Sequence, residues 1–530
     1  MPRHWPFPFS MKAAMRKIEI IKNVSASWFA LGVSILVGIF LSPFILHRLG
    51  NMAYGAWVLA FSVTGYYGLF DLGIRSALIR YVSTYIATNN HDALLRLVNT
   101  SLALYTAIGA AAMVATLLVS YYLGSLFRMP ADFLPTARLL FLMVGAAVAL
   151  GFPAGVFGGI LEGMNRFYFV NLTNLVSTLV RAALIVVALH HGYGLLTVAI
   201  ITVSLPLLGS AVRAAIVLHL LPLKFGWQYI DRSCFREIAQ YSSVTFMVMI
   251  AYKLRFKTDE VIISTFVSIA AVTFFSNADR LLDYTAEVVS SLSQIFVPLS
   301  GQFNAQGDMK QLRKLFVAGN RACALIVFPI SATLIILGKS VITAWVGARY
   351  VTASYPVMIC LLIPYTFSLA QDVSGRILYG MARHKSLAWV TGMEAIANLT
   401  LSIFLVRRFG IVGDALGTAI PLSCTALFFV PRHLCRVLNI RLLAYLREAF
   451  TFPLVLVAPT VGMLLLMRRW FFARNYLQLG MQISISLIPY GLGLAWAFWT
   501  KKIWSVPQLT TADGIDEVSA ALIQDYQERP

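Results

Sequence analysis

Charge is what this chain has least of. Only 12% of its 530 residues are charged, against roughly 25% in an average soluble domain. The 22 acidic side chains number about half of the 42 basic ones. So thin a supply of charge excludes a water-soluble globular surface. The five cysteines (Cys234, Cys323, Cys360, Cys424 and Cys435) form no C-x-x-C pair, which leaves no zinc or thiol-redox framework. No glycine-rich phosphate loop, no His/Glu metal pattern and no nucleophile elbow occurs, so ATP hydrolysis and covalent catalysis have no footing and no cofactor is implied. Long polar loops are missing too. The longest on the outer side is about fifteen residues, near 339–353, too short for the external domain of a membrane glycosyltransferase or ligase.

What is present is apolar. Hydrophobic residues make up 59% of the chain and the mean hydropathy is +0.77. Runs close to the roughly 20 residues that cross a bilayer core recur from end to end, which selects an all-α polytopic membrane protein over a β-barrel or a single anchor. About fourteen transmembrane helices are expected, near 26–46, 56–76, 97–122, 136–160, 169–189, 195–218, 241–264, 270–298, 318–338, 354–378, 387–406, 412–430, 451–467 and 475–499. An even number puts both termini on one side. About 24 Lys and Arg fall on that side and about 9 in the intervening loops, so both termini are expected in the cytoplasm, with the chain multi-pass in a bacterial inner membrane. The net charge of +20 then belongs to a rim facing anionic headgroups. Membrane lipids are expected partners and nucleic acid is not.

The stretch Ile160-Leu161-Glu162-Gly163-Met164-Asn165-Arg166 returns as Ile377-Leu378-Tyr379-Gly380-Met381-Ala382-Arg383, 217 residues later. Tyr193-Gly194 and Phe409-Gly410 repeat at nearly the same offset. The expected organisation is a basic cytoplasmic segment over 1–25, a six-helix lobe over 26–220, a second over 236–435, two accessory helices over 451–499 and a cytoplasmic tail over 500–530. An even number of spans per repeat makes the lobes parallel, and two similar halves can rock about a site between them.

Several charges lie where lipid should forbid them. On the seventh span Lys253, Lys257 and Glu260 share one face, with Arg255 and Asp259 beside them. Asp279, Asp283 and Glu287 line the eighth at every fourth position, next to Arg280. Because the two helices meet at a short turn near residue 267, Lys257 is expected level with Asp279 and Lys253 with Asp283. The pairs either only neutralise one another or line a polar lumen that shares its charges with a substrate or coupling ion. Arg181, about twelve residues into the fifth span, is the first lobe's candidate anion contact. Glu394 in the eleventh is a candidate proton or cation site. Asp71 with Arg75 and Asp372 with Arg376 read as local i, i+4 pairs, and Arg213 and Arg321 as side chains able to snorkel to the cytoplasm.

Over roughly 20–435 the chain resembles a polysaccharide repeat-unit flippase of the multidrug/oligosaccharidyl-lipid/polysaccharide (MOP) exporter superfamily. The resemblance is carried by Pro43-Phe44-Ile45-Leu46-His47-Arg48-Leu49-Gly50 with Tyr54-Gly55, by Phe70-Asp71-Leu72-Gly73 with Arg80-Tyr81, and by Asp259 with Val261-Ile262-Ile263. Pro298, Gly307-Asp308-Met309-Lys310-Gln311-Leu312 and the two Gly-Met-x-Arg loops complete it. It implies a MATE-like fold and the transfer, by alternating access and without ATP, of an undecaprenyl-pyrophosphate-linked oligosaccharide from the inner to the outer leaflet. Arg181, Lys253, Arg255 and Lys257 would meet the pyrophosphate, and Asp279, Asp283, Glu287 and Glu394 would serve as lumen pairs or coupling sites. The polymerase and glycosyltransferases of the same pathway are possible partners. Fourteen spans also resemble lipid II flippases, and the lumen carboxylates suit a drug/cation antiporter.

Overall fold

The computed structural model describes residues 13–71, 74–164, 166–238, 258–381, 383, 385–470, 473 and 475–500. Lys253, Arg255 and Lys257, and with them the two expected hairpin pairs, lie outside the described residues. The chain forms two compact units, 1–249 and 250–530, and the elements of both are helices.

The first unit holds α1 (Ala13–Gly65), a 3-10 turn (Tyr66–Asp71), α2 (Ile74–Ala87), α3 (His91–Tyr121), a short α4 (Leu123–Leu126), α5 (Leu134–Gly163), α6 (Phe167–His190) and α7 (Leu195–Leu220). At 53 residues, α1 would be about 80 Å long if straight, far more than the roughly 30 Å of hydrocarbon. It breaks at Gly50, whose φ of 78° needs a residue without a side chain. Asn90 opens α3 by accepting the Ala93 amide. The α3–α5 contact is set by small residues: a methyl at Gly109 would overlap the Ala149 carbonyl, and one at Gly145 the Thr116 side chain.

Past α7 the chain lies along α3. The Asn99 amide donates to the Lys224 carbonyl at 2.9 Å and accepts the Gly226 amide at 3.0 Å. One residue on, the Thr100 hydroxyl accepts the Asp231 amide. The Ser233 amide and hydroxyl hold the Asp231 carboxyl below the usual carboxylate range.

The second unit holds α8 (Asp259–Phe266), α9 (Ile269–Ser293), α10 (Phe296–Ala305), α11 (Met309–Trp345), α12 (Val351–Ala370), α13 (Asp372–Gly380) and α14 (Lys385–Cys424). A π turn, α15 (Val430–Val437), α16 (Leu442–Leu446), a second π turn (Arg447–Thr451), α17 (Phe452–Trp470) and α18 (Tyr476–Trp499) follow. In α14 the helix breaks at Gly410, and its limbs return antiparallel at the closest range backbone allows. A methyl on Gly413 would overlap the Leu405 carbonyl, and one on Gly417 the Ser402 backbone. Trp389, Met393 and Ile396, three or four residues apart, project outward from the first limb, as a lipid-facing stripe should.

Ten helices among the described residues are long and apolar enough to cross a membrane. Two of these, Trp28–Gly68 and Ser386–Val437, contain the breaks at Gly50 and Gly410 and each take in two expected spans. Ile269–Ser293 has spanning length, and Asp279, Arg280, Asp283 and Glu287 keep it out of the apolar set. Most of the seventh span lies outside the described residues. The expected fourteen is compatible with this arrangement.

The duplicated loops adopt one hydrogen-bonding pattern. Met164 and Arg166 donate their amides to the Ile160 and Leu161 carbonyls, and Met381 and Arg383 donate theirs to Ile377 and Leu378. The glycine before each loop touches a neighbour: Gly163 meets Val82 and the Ile79 carbonyl on α2, and Gly380 meets Ser300 and Val297 on α10. Burial separates the two copies. The most apolar stretch of α3 is 22% buried, and that of α11, which starts 218 residues later, is 67% buried. The accessory helices make the difference: Leu325 packs with Val457, Tyr490 and Ala497, and the Tyr490 hydroxyl donates to the Leu325 carbonyl.

The return of α14 on itself yields a prediction. Gly413→Ala should cost about 1–3 kcal/mol, the range for overpacking, because backbone rather than a flexible side chain blocks the methyl. Gly392→Ala, with nothing within 4 Å, should be neutral. Thermal unfolding of the purified protein in detergent measures both, and equal melting temperatures would contradict the close approach.

Candidate substrate and ion sites

Two groups of polar side chains stand out, one inside each unit. In the second unit the first turn of α8 supplies Asp259 and Glu260, and α9 supplies Asp279; all three are buried. Asp414 joins them from the second limb of α14, where it is completely buried. It lies within electrostatic reach of Asp259, Glu260 and Asp279, and neither of its carboxylate oxygens has a hydrogen-bond partner among the described residues.

Neutral oxygen and nitrogen groups bind the cluster together. The Thr418 hydroxyl donates to Asp259 Oδ1 at 3.1 Å and accepts from the Asn398 amide at 3.1 Å. The Ser402 hydroxyl donates to Asn398 Oδ1 and to the Asp414 carbonyl, both at 3.2 Å. Glu394, Asn398 and Ser402 follow at every fourth residue, so the buried Glu394 belongs to the same helical face. Close packing of the α14 limbs, made possible by Gly413 and Gly417, is what brings Asp414 and Thr418 against this stripe. Along α9 exposure rises from the buried Asp279 to the half-buried Asp283 to the exposed Glu287.

The first unit carries cations. Arg181 lies half-buried in α6 and makes no hydrogen bond or ion pair among the described residues. Asn174, two turns earlier on the same face, accepts from Arg213 Nη1 at 3.2 Å, and Arg213 Nη2 donates to the Ser210 hydroxyl at 2.7 Å. Arg75 forms a two-pronged bond with Glu162, Nη2–Oε1 at 2.6 Å and Nε–Oε2 at 3.3 Å.

Three local expectations change. Asp71 acts on Arg75 by its charge, not as an i, i+4 pair on one helix. It ends a 3-10 turn rather than standing on the Arg75 helix, so i, i+4 geometry never arises, and it accepts the Tyr105 hydroxyl instead. Arg213 is held by Asn174 and Ser210 rather than reaching for the cytoplasm. Arg321 is buried and donates to the Glu448 carbonyl at 2.9 and 2.6 Å, because a π turn from the chain's later part covers it and also brings the Glu448 carboxylate to 3.4 Å. The Asp372–Arg376 pair is present at 3.1 Å and is joined by Ser290 and Ser293 of α9.

Sequence reasoning passed over Asp414. Its signal was available, since it is the single charged residue in the span expected over 412–430.

The sequence profile of a family described as polysaccharide biosynthesis protein matches residues 45–355, more than half of the chain. The chain belongs to that family. Among curated relatives, a putative O-antigen transporter of Shigella flexneri is 23% identical over 427 residues, covering 77% of this chain and 96% of the relative. Among solved structures, the lipid II flippase MurJ in an inward closed conformation aligns with a TM-score of 0.71 at 14% identity, over 92% of this chain and all of that one. An inward-facing MATE-family multidrug transporter of the MOP superfamily aligns at 0.63 and 13% identity, over 77% and 94%. The fold is thus MATE-like, as the sequence resemblance implied.

Thr418 is the keystone of the acidic group. Thr418→Val, nearly isosteric, removes both its bonds and takes one partner each from Asp259 and Asn398, so it should lower stability by about 1–3 kcal/mol. Thermal unfolding against the wild type checks this. An unchanged midpoint would mean that Asp259 is held by other groups.

Proposed function

We propose that the protein is a flippase that carries an undecaprenyl-pyrophosphate-linked oligosaccharide from the inner to the outer leaflet of the cytoplasmic membrane, by alternating access, during polysaccharide biosynthesis. Membership of the polysaccharide biosynthesis family supports the pathway. The names of the O-antigen transporter and of the lipid II flippase support the class of movement. Arg181 carries the reading. A guanidinium keeps its charge at any biological pH, and holding one at depth in hydrocarbon costs at least a few kcal/mol unless it is paired; among the described residues Arg181 has no counter-ion. A transient anionic partner explains why it is there, and planar two-pronged recognition of phosphate is what arginine does well.

In this mechanism Arg181, Lys253, Arg255 and Lys257 meet the pyrophosphate while the sugar crosses through a polar lumen and the polyprenyl tail stays in lipid. No bond is made or broken. Transfer follows from unequal affinity of the inward and outward states for the anion. Energy comes from a proton or monovalent cation bound among Asp259, Asp279, Glu394 and Asp414, with Asp283 and Glu287 on the approach. Asp414 suits the task because a fully buried carboxylate with no hydrogen-bond partner among the described residues calls for a proton or a cation to occupy it. Both termini face the cytoplasm, and the pathway's polymerase and glycosyltransferases act before and after the crossing.

The same acidic group favours a second reading, a drug/cation antiporter. The readings differ in what Arg181 does. In a strain lacking this chain, Arg181→Ala and Lys253→Ala should each fail to restore surface glycan at normal membrane abundance. Normal glycan with both variants would end the anion mechanism, and loss of protein rather than of glycan would make the charges structural. Asp414→Asn should leave the fold intact and abolish the dependence of export on the ion gradient; export that still follows the gradient would remove Asp414 from coupling.

A further inference from the structure

Arg75 and Arg213 converge from different helices on the same glycine. A Cβ on Gly158 of α5 would lie 3.7 Å from Arg75 Nη2 and 4.0 Å from Arg213 Nη1, so the two guanidinium groups flank a notch that only a missing side chain leaves open. Their partners are unequal. Arg75 holds Glu162 with both prongs, and its side chain is still 45% exposed. Arg213 holds only neutral oxygens, those of Asn174 and Ser210. Its Nε is buried with no partner among the described residues, and the charges it feels are those of Arg75, of like sign, and Glu162. Arg75 thus has Glu162 in contact and the charge of Asp71 within reach, whereas Arg213 has only neutral oxygens bonded to it among the described residues. Like charges in a poorly solvated site repel strongly, and the usual remedy is an anion that bridges them. Tetrahedral phosphate oxygens fit such a pair. Asn174 then links the notch to Arg181, seven residues and about 10 Å further along the same face of α6.

We infer that Arg75 and Arg213 form a phosphate seat at Gly158, occupied in this conformation by the Glu162 carboxylate as an internal placeholder, which takes the pyrophosphate of a lipid-linked substrate before Arg181 does. The inference rests on the flippase reading and adds to it a first docking point within the first unit. Glu162 has a role in it that no other residue shares. It neutralises the seat when empty and is displaced when a doubly charged anion arrives. The second copy of the duplicated loop carries Tyr379 at the matching position, so the seat belongs to one half of the chain.

The test uses the full chain in phosphatidylcholine nanodiscs with farnesyl pyrophosphate as probe and farnesol as the uncharged control. Wild type should bind the pyrophosphate and not the alcohol. Arg213→Gln and Arg75→Gln should each weaken binding about tenfold, the loss of one charge-assisted contact. Glu162→Gln should strengthen it several-fold by freeing Arg75. Gly158→Ala should weaken it with every charge and hydrogen bond intact, since the methyl meets both arginines at ordinary contact distance and fills the notch. That variant keeps the test decisive should the arginine variants unfold.

Several results would overturn the proposal. If wild type binds pyrophosphate while Arg213→Gln and Gly158→Ala bind equally well, the seat is wrong and the flippase reading stands. If Glu162→Gln weakens binding as Arg75→Gln does, the pair is structural. If phosphatidylglycerol in the disc displaces the probe lipid for lipid, the notch holds bulk headgroups. If wild type does not distinguish pyrophosphate from alcohol, the anionic-substrate reading falls and the seat with it.

Discussion

Hydrocarbon does not solvate charge, and almost every informative feature of this chain follows from how it meets that constraint. Where a charge can be matched inside the protein, it is. Arg376 takes Asp372 and two serines, Arg321 takes the backbone of a π turn, and Arg75 takes Glu162. Three of the described residues resist matching, and Arg213, with neutral partners only, is the first. Arg181 has no partner among the described residues, and Asp414 is sealed beside other carboxylates with its oxygens unsatisfied. A structure under no functional demand would lose such residues to leucine, since apolar replacement of buried ionic groups is often neutral or stabilising. The first unit holds an arginine, and the second a carboxylate, with no partner among the described residues. A carrier that couples an anionic lipid to an inward ion needs both.

Close backbone approach is the second constraint, and it builds the sites. Lipid offers helices no hydrophobic reason to associate, so they pack through small residues. Gly413 and Gly417 let the limbs of α14 touch and thereby set Thr418 and Asp414 against the Glu394–Asn398–Ser402 face. Gly109 and Gly145 do the same for α3 and α5, whose far end carries Gly158 and Glu162. Glycine at 158 has a different use, which is to leave room rather than to allow contact. The accessory helices add a third layer over α11 and turn a lipid-facing helix into a central one, while its counterpart α3 keeps its exposed face.

Much of this was legible in the sequence because membrane segments announce themselves by length. The Gly-Met-x-Arg copies do adopt one hydrogen-bond pattern. What failed was local electrostatics inferred from spacing along an assumed continuous helix. Asp71 and Arg75 are four residues apart and belong to different elements, so Tyr105 and Glu162, 34 and 87 residues away, became their partners. Arg321 looked able to snorkel because nothing in its own span shows that residues 447–451 will fold over it. Asp414 was legible as the lone charge of its span, and what its spacing did not show is the company of Asp259, Glu260 and Asp279. In each case the decisive neighbour is distant in sequence, and only tertiary contact reveals it.

The central claim is movement of an anionic lipid between leaflets, and leaflet transfer itself tests it most directly. Proteoliposomes holding the purified chain and a fluorescent polyprenyl-pyrophosphate-linked oligosaccharide would be exposed to a membrane-impermeant quencher, with and without an imposed ion gradient. The account predicts that the protein makes the labelled lipid exchange between leaflets, that the gradient biases its final distribution, and that a glycolipid with the same sugar and no phosphate does not cross. Labelled lipid that stays in its leaflet, or a neutral glycolipid that crosses equally well, would contradict it.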